Sequence, residues 1–349
     1  MHTTSRALAC AAALAAAVAT AAPADAHTEH RPAPRATDIV GVGGDMSETL
    51  FDGLGDVYNA EHPGGNRFYS YASSGPSPLT PKRGCAPIAR PDGSSAGIAA
   101  LAARQTLPNG QPCLDYARGT RDKQPTDPKA LEFLPFASDG ITWAANANGN
   151  APQSMTPQQM AAILTCKVST WDQVGGTSHA TIKPLLPDVG VGILGFLKTG
   201  LGIDAPGPCV GEGVQQDSGN DPQVAGDPNA VVFYSIGKYL AQTEYHHQDE
   251  HGSLTLRDIA GVPPTVYNPK NHRVELNIGQ APGIPTFPVH THQYVVVYRN
   301  ADGSLPAQTK NLFVGQDSWL CRDPWAKAQV ATHGFMPLID GTCGVPFID

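Results

Sequence analysis

Short apolar runs separated by Gly, Pro and Ser turns recur along this chain, and between them lie segments with helical spacing. Asp38-Ile39-Val40-Gly41-Val42-Gly43 reads as a buried strand running into a glycine turn. Gly44-Asp45-Met46-Ser47 then caps a helix through Leu50, Leu54 and Val57. Residues 68–71 predict a second strand and residues 113–118 a third. Residues 131–136 and 141–144 read as two extended segments, and Thr156-Pro157 opens a helix reaching Leu164. Further strands are expected at 182–186, 231–234 and 294–298, with helices at 194–201 and 326–334. Strands alternating with helices predict α/β layers, and no internal repeat is visible.

Four turns carry the candidate chemistry: residues 43–47, 93–95, 118–120 and 188–193. The second opens an alanine-rich helix, with Ser94 or Ser95 as its expected N-cap. Free N–H groups at a helix start, with the dipole behind them, suit an anion, although such a turn can equally be a structural cap. Pooled Ser, Thr and backbone donors suit an oxyanion, because bonds to an ionised group contribute about 1.5–3 kcal/mol each.

Composition narrows the class. Gly (37) and Pro (32) are abundant but stay below the roughly 25–30% that marks low complexity, so a folded, loop-rich protein is expected. Arg6, an alanine-rich apolar run at 7–22 and Ala24-Asp25-Ala26 predict a signal peptide over residues 1–26, cut after Ala26. Cys10 lies too early in that run for a lipidation site. No later stretch predicts a membrane span, and the mature protein is expected to be secreted. The six cysteines beyond the leader fall into three consecutive pairs, predicting disulfides Cys85–Cys113, Cys166–Cys209 and Cys321–Cys343. No C-x-x-C occurs, which argues against zinc ribbons and thioredoxin chemistry. A net charge of −8 makes nucleic acid and anionic membranes poor partners.

Two histidine clusters have the spacing of metal ligands. His246 with Glu250, and His247 with His251, would lie i, i+4 on a helix, while His290 and His292 would share one strand face. A solvated polar segment is the simpler reading, and no metal or cofactor is expected. The chain lacks H-E-x-x-H and G-x-S-x-G, so neither a zinc protease nor an α/β-hydrolase is supported.

In order along the chain, these phrases resemble the phosphate-type solute-binding proteins of ABC importers, in the actinobacterial branch related to the phosphate-binding protein. The resemblance rests on residues 38–43, 93–98, 113–118, 135–137, 139–144, 171–176 and 318–321. It implies a two-lobe α/β periplasmic-binding-protein type II fold with a hinged cleft. Lobe one would span 37–138 plus 281–349, and lobe two 139–280. It further implies phosphate or a similar oxyanion held by Ser47, Ser94, Ser95, Arg118, Gly119, Thr120, Gly190 and Gly192, with Arg118 as the cation. A permease partner, a monomer and no enzymatic activity follow from the same resemblance.

Two turns depart from the family. Where it has Gly-Ser-Gly-Thr, often followed by Arg, this chain reads Gly190-Val191-Gly192-Ile193-Leu194. In the first turn Gly44 and Met46 stand where Ser and Thr donors are usual. Fewer charge-assisted bonds imply weaker phosphate binding. Two other readings therefore stay open: a non-transport binding protein with a changed pocket, and a secreted phosphoesterase.

Overall fold

The structure is a computed structural model and describes residues 33–187, 200–338 and 341–346. The expected leader, and the turn holding Gly190 and Gly192, lie outside the described residues.

The fold is α/β with two lobes, built on strands that run in the order β2-β1-β3-β12-β4-β7-β6. In the first lobe β1 (Ile39–Gly43) pairs in parallel with β2 (Phe68–Ser70) and β3 (Tyr116–Gly119). The long strand β12 (His290–Tyr298) lies antiparallel between β3 and β4 (Leu131–Asn146). Alternation assigns the two faces of this sheet. Ile39, Tyr116, Val295 and Val297 join the core under α1 (Glu48–Glu61), with its Leu50, Phe51 and Leu54. Val40, Val42, Ala117 and Val296 join the opposite core, under Ile98 and Leu101 of α2 (Gly93–Ala102).

β4 carries the chain into the second lobe. Up to Gly140 it pairs with β12; from Ile141 it pairs with β7 (Ala230–Ser235), and its end with β8 (Leu254–Leu256). The sequence suggests two extended segments here, and the structure makes them one strand, because both halves find ladder partners. Trp143, Val231 and Phe233 face one core of this lobe, and Ala144, Val232 and Tyr234 the other. Helix α3 (Pro157–Leu164) has the Thr cap expected of it: Thr156 Oγ1 accepts from the Gln159 N–H at 3.2 Å, and the Thr156 N–H donates to Gln159 Oε1 at 2.8 Å. β6 is shorter than expected, covering only Lys183–Pro184.

Asp139 sits where the lobes join, fully buried on β4. It accepts from the N–H of Gly140 (2.7 Å) and Gly237 (2.9 Å), from Ser235 Oγ (2.7 Å) and from Gln293 Nε2 (3.0 Å). One carboxyl thus ties both crossing strands to the start of α4 (Ile236–Thr243).

Disulfides join Cys85 to Cys113, Cys166 to Cys209 and Cys321 to Cys343. Among the described residues no helix is long and apolar enough to cross a membrane.

Candidate functional site

Three of the four candidate turns converge at one end of the parallel strands. Gly43 has φ +116°, and a Cβ there would meet the Arg118 carbonyl oxygen at 2.6 Å. A Cβ on Gly97 would come within 2.4 Å of Gly43 Cα, so glycine lets α2 dock directly against the end of β1. The Gly44 N–H bonds to the Arg118 carbonyl at 3.1 Å. The Cβ position of Gly44 lies 2.9 Å from Ser94 Oγ, which is hydrogen-bonded to Thr120 Oγ1 at 2.9 Å. Gly44, Ser94 and Thr120, each from a different turn, therefore share one small space.

Arg118 stands behind them, with no exposed surface. Its Nε donates to the Gly44 carbonyl (2.8 Å), Nη2 to the Gly43 carbonyl (2.7 Å), and Nη1 to the Tyr71 carbonyl (2.9 Å) and to Ser70 Oγ. Glu48 Oε2 lies 3.8 Å from Nη2 and also accepts from Ser73. The guanidinium is occupied by the chain itself and shapes the turn from beneath. Gly119 continues β3, opposite Tyr294 of β12.

The local helix chemistry differs from expectation. The N-cap of α2 is Asp92, whose carboxylate makes no capping bond, and the helix already begins at Gly93. Ser94 and Ser95 therefore lie in the first turn instead of capping it. Ser94 is turned toward Thr120, and Ser95 is half-buried. Ser47 does stand at the N-cap of α1, but at φ −103°, ψ 12° its side chain forms no cap bond. Its Oγ is buried with no hydrogen-bond partner among the described residues. A buried orphan hydroxyl calls for a ligand or water.

The second lobe presents a different surface. Met46, from the β1–α1 turn of lobe one, is only 1% exposed and packs in the lobe-two core with Ile141, Ile236, Leu240 and Phe287. Asp217 is buried with φ +54° and accepts from the Ser235 N–H at 2.7 Å. Burial pushes its carboxyl well above the usual range, and the Asp45 charge adds to that. Asp45 is only half-covered at its surface, yet protein around its carboxyl pushes it up to about 6, with the Lys238 charge pulling the other way. Sequence reasoning passed over Asp45, Asp217 and Lys238. The usable signal was an Asp beside the glycine turn and a polar loop ahead of a capped helix.

The histidine spacing forms no helical ligand pairs. Residues 246–251 form no helix, and His246 and Gln248 adopt positive φ. The i, i+4 pairs therefore do not exist. His251 Nδ1 pairs with Asp249, and His247 stacks on His333. His290 and His292 do lie two apart on β12. Among the described residues no three His, Cys, Asp or Glu side chains are grouped to hold a metal ion.

Residues 32–310 match the PBP superfamily domain. No curated protein matches the sequence. Among solved structures, a substrate-binding protein from Clostridium perfringens, ascribed to a phosphate ABC transporter and solved with bound phosphate, aligns at TM-score 0.59 and 18% identity. The alignment covers 86% of this chain and 100% of that one. An ABC-type phosphate transport receptor from Vibrio cholerae aligns at TM-score 0.57 and 19% identity, covering 86% and 99%. A phosphate-binding protein from Stenotrophomonas maltophilia aligns at TM-score 0.52 and 11% identity, covering 87% and 91%. At these identities the likeness is one of fold.

Proposed function

We propose, for a chain that belongs to the PBP superfamily, that it captures a small oxyanion, phosphate foremost, between its lobes and delivers it to an ABC permease. The observation that carries this reading is the convergence of Gly44, Ser94 and Thr120 at the start of α2. Two hydroxyls and the first-turn N–H groups of a ten-residue helix suit a tetrahedral anion. The orphan Ser47 hydroxyl adds a donor in the same turn region. The phosphate bound in the Clostridium perfringens protein of like fold supports the choice of anion. Arg118 acts through the turn, by fixing Gly43 and Gly44, and not by direct contact. Ser95 and Gly119 complete lobe one's share, and the family resemblance implies Gly190 and Gly192 for lobe two's. The lobes divide at 37–138 plus 281–349 and 139–280. The protein is taken as secreted after loss of residues 1–26, monomeric and without catalytic activity.

Titration calorimetry with inorganic phosphate tests this. The wild type should bind, and Ser94→Ala with Thr120→Val should weaken binding by at least tenfold while remaining folded. A folded wild type that shows no heat with phosphate removes the reading.

Met46 favours a second reading. Its burial in the lobe-two core puts an apolar group where the family resemblance implies a donor. On that reading the protein is a binding protein whose pocket has moved away from phosphate. Val191→Ser with Ile193→Thr separates the two. A tighter phosphate complex supports the oxyanion reading, and no gain in a folded double variant supports the changed pocket.

A further inference from the structure

His247 and His333 stack face to face, with ring centroids 4.0 Å apart and planes 8° from parallel. The rings belong to different lobes. His247 follows α4, whose Ile236 and Leu240 lie in the lobe-two core, and its N–H bonds to the Ala241 carbonyl at 2.9 Å. His333 follows the helix Pro324–Thr332, whose Ala326 and Val330 lie in the lobe-one core. Beside the rings the backbones touch: a Cβ on Gly334 would sit 2.1 Å from the Gly237 carbonyl oxygen. The stack is thus part of a close contact between the lobes.

The groups acting on the rings come from three helices. Lys238 of α4 acts on both rings. The Gln329 carbonyl accepts from His333 Nδ1 at 2.8 Å, and the Thr49 carbonyl of α1 also serves His333. The Thr332 carbonyl serves His247. None of these is a carboxylate. The carbonyls favour a charged ring, but burial, the facing ring and Lys238 oppose it. Burial holds His247 below its ordinary value, and His333 is pushed down to about 4.

We propose that the His247–His333 stack is an acid-released latch: neutral rings hold the lobes together, and protonating them drives the lobes apart. The proposal rests on the cleft-closing reading above. Rings exposed by opening titrate near the ordinary 6.5, while those in the contact titrate lower. The latch is therefore complete above about pH 6.5 and weakens as pH falls toward 4. The loss is at most about tenfold in the closing equilibrium per pH unit for each ring. Asp45, held up to about 6, works in the opposite direction, since protonating it relieves charge facing Asp217. The direction of the acid response therefore separates the two groups.

Small-angle X-ray scattering on the ligand-free mature chain, between about pH 7.5 and pH 5, reads the opening directly, with circular dichroism to confirm that the fold persists. The radius of gyration should increase on acidification. His247→Phe keeps an aromatic stack without its proton and should flatten that response to half or less. Three results overturn the latch: a radius that does not change with pH, an opening that His247→Phe leaves unaltered, or compaction on acidification that Asp45→Asn abolishes. Because no ligand is present, any of these leaves the oxyanion reading standing.

Discussion

The two sides of the cleft are built on different principles. Lobe one offers a polar cradle in which almost every group has a partner. Arg118 is tied to the Gly43, Gly44 and Tyr71 carbonyls and to Ser70, and Ser94 is tied to Thr120. Lobe two offers an apolar socket for Met46, with the buried Asp217 carboxyl and the Lys238 ammonium acting electrostatically on Asp45. A cradle whose Arg118, Ser94 and Thr120 are already tied holds its shape before any ligand arrives. A socket beside one buried carboxyl, Asp217 at φ +54°, is closer to a contact that makes and breaks.

The heaviest blow to this contrast is Arg118→Met. It would strand three carbonyls and the Ser70 hydroxyl in a buried site, so a loss of about 3–5 kcal/mol in urea unfolding is expected. A loss under about 1 kcal/mol would mean that the cradle does not depend on its central cation. Met46→Ala comes next. If the side chain is core-like, stability should fall by about 2–4 kcal/mol, and the scattering radius should grow as the lobes part. An unchanged radius would make Met46 an ordinary core residue and not a closing contact.

Ser94→Ala should cost only about 1 kcal/mol in stability, since it removes one neutral hydrogen bond. Its effect on phosphate affinity should be larger, about 1.5–3 kcal/mol by calorimetry, because that bond is charge-assisted. Equal losses in both would reduce Ser94 to a structural role. The smallest expected effect is that of Asp45→Asn. The Asp45 carboxyl is raised, so the native state binds its proton more tightly than the unfolded chain does. Its contribution is therefore present at low pH and is lost as pH rises through about 6. Asp45→Asn should flatten thermal stability between about pH 4 and pH 6.5. An unaltered profile would mean that Asp45 does not feel the opposite lobe.

Local pattern was enough for β1, α1 and α3, where alternation, apolar spacing and a Thr-Pro cap all agree. It also picked out the glycine turns at Gly43 and Gly93, because positive φ leaves few other residues possible there. It misread the two extended segments at 131–144 as separate, since a strand's continuity depends on partners far along the chain. It left i, i+4 histidine pairs at 246–251 as one reading beside a solvated polar segment, and the chain there turns through positive φ.

By itself, then, the sequence determined the α/β class, the strand–turn–helix order and which turns carry hydroxyls, because these depend on near neighbours. Only the tertiary structure decided how those groups are used. It committed Arg118 to backbone carbonyls, seated Met46 in the other lobe and brought Asp45 within reach of Asp217 and Lys238. It also laid His247 against His333. These are contacts between segments far apart along the chain. Whether a buried charge is ligand-facing or already satisfied depends on such partners, and no local pattern encodes them.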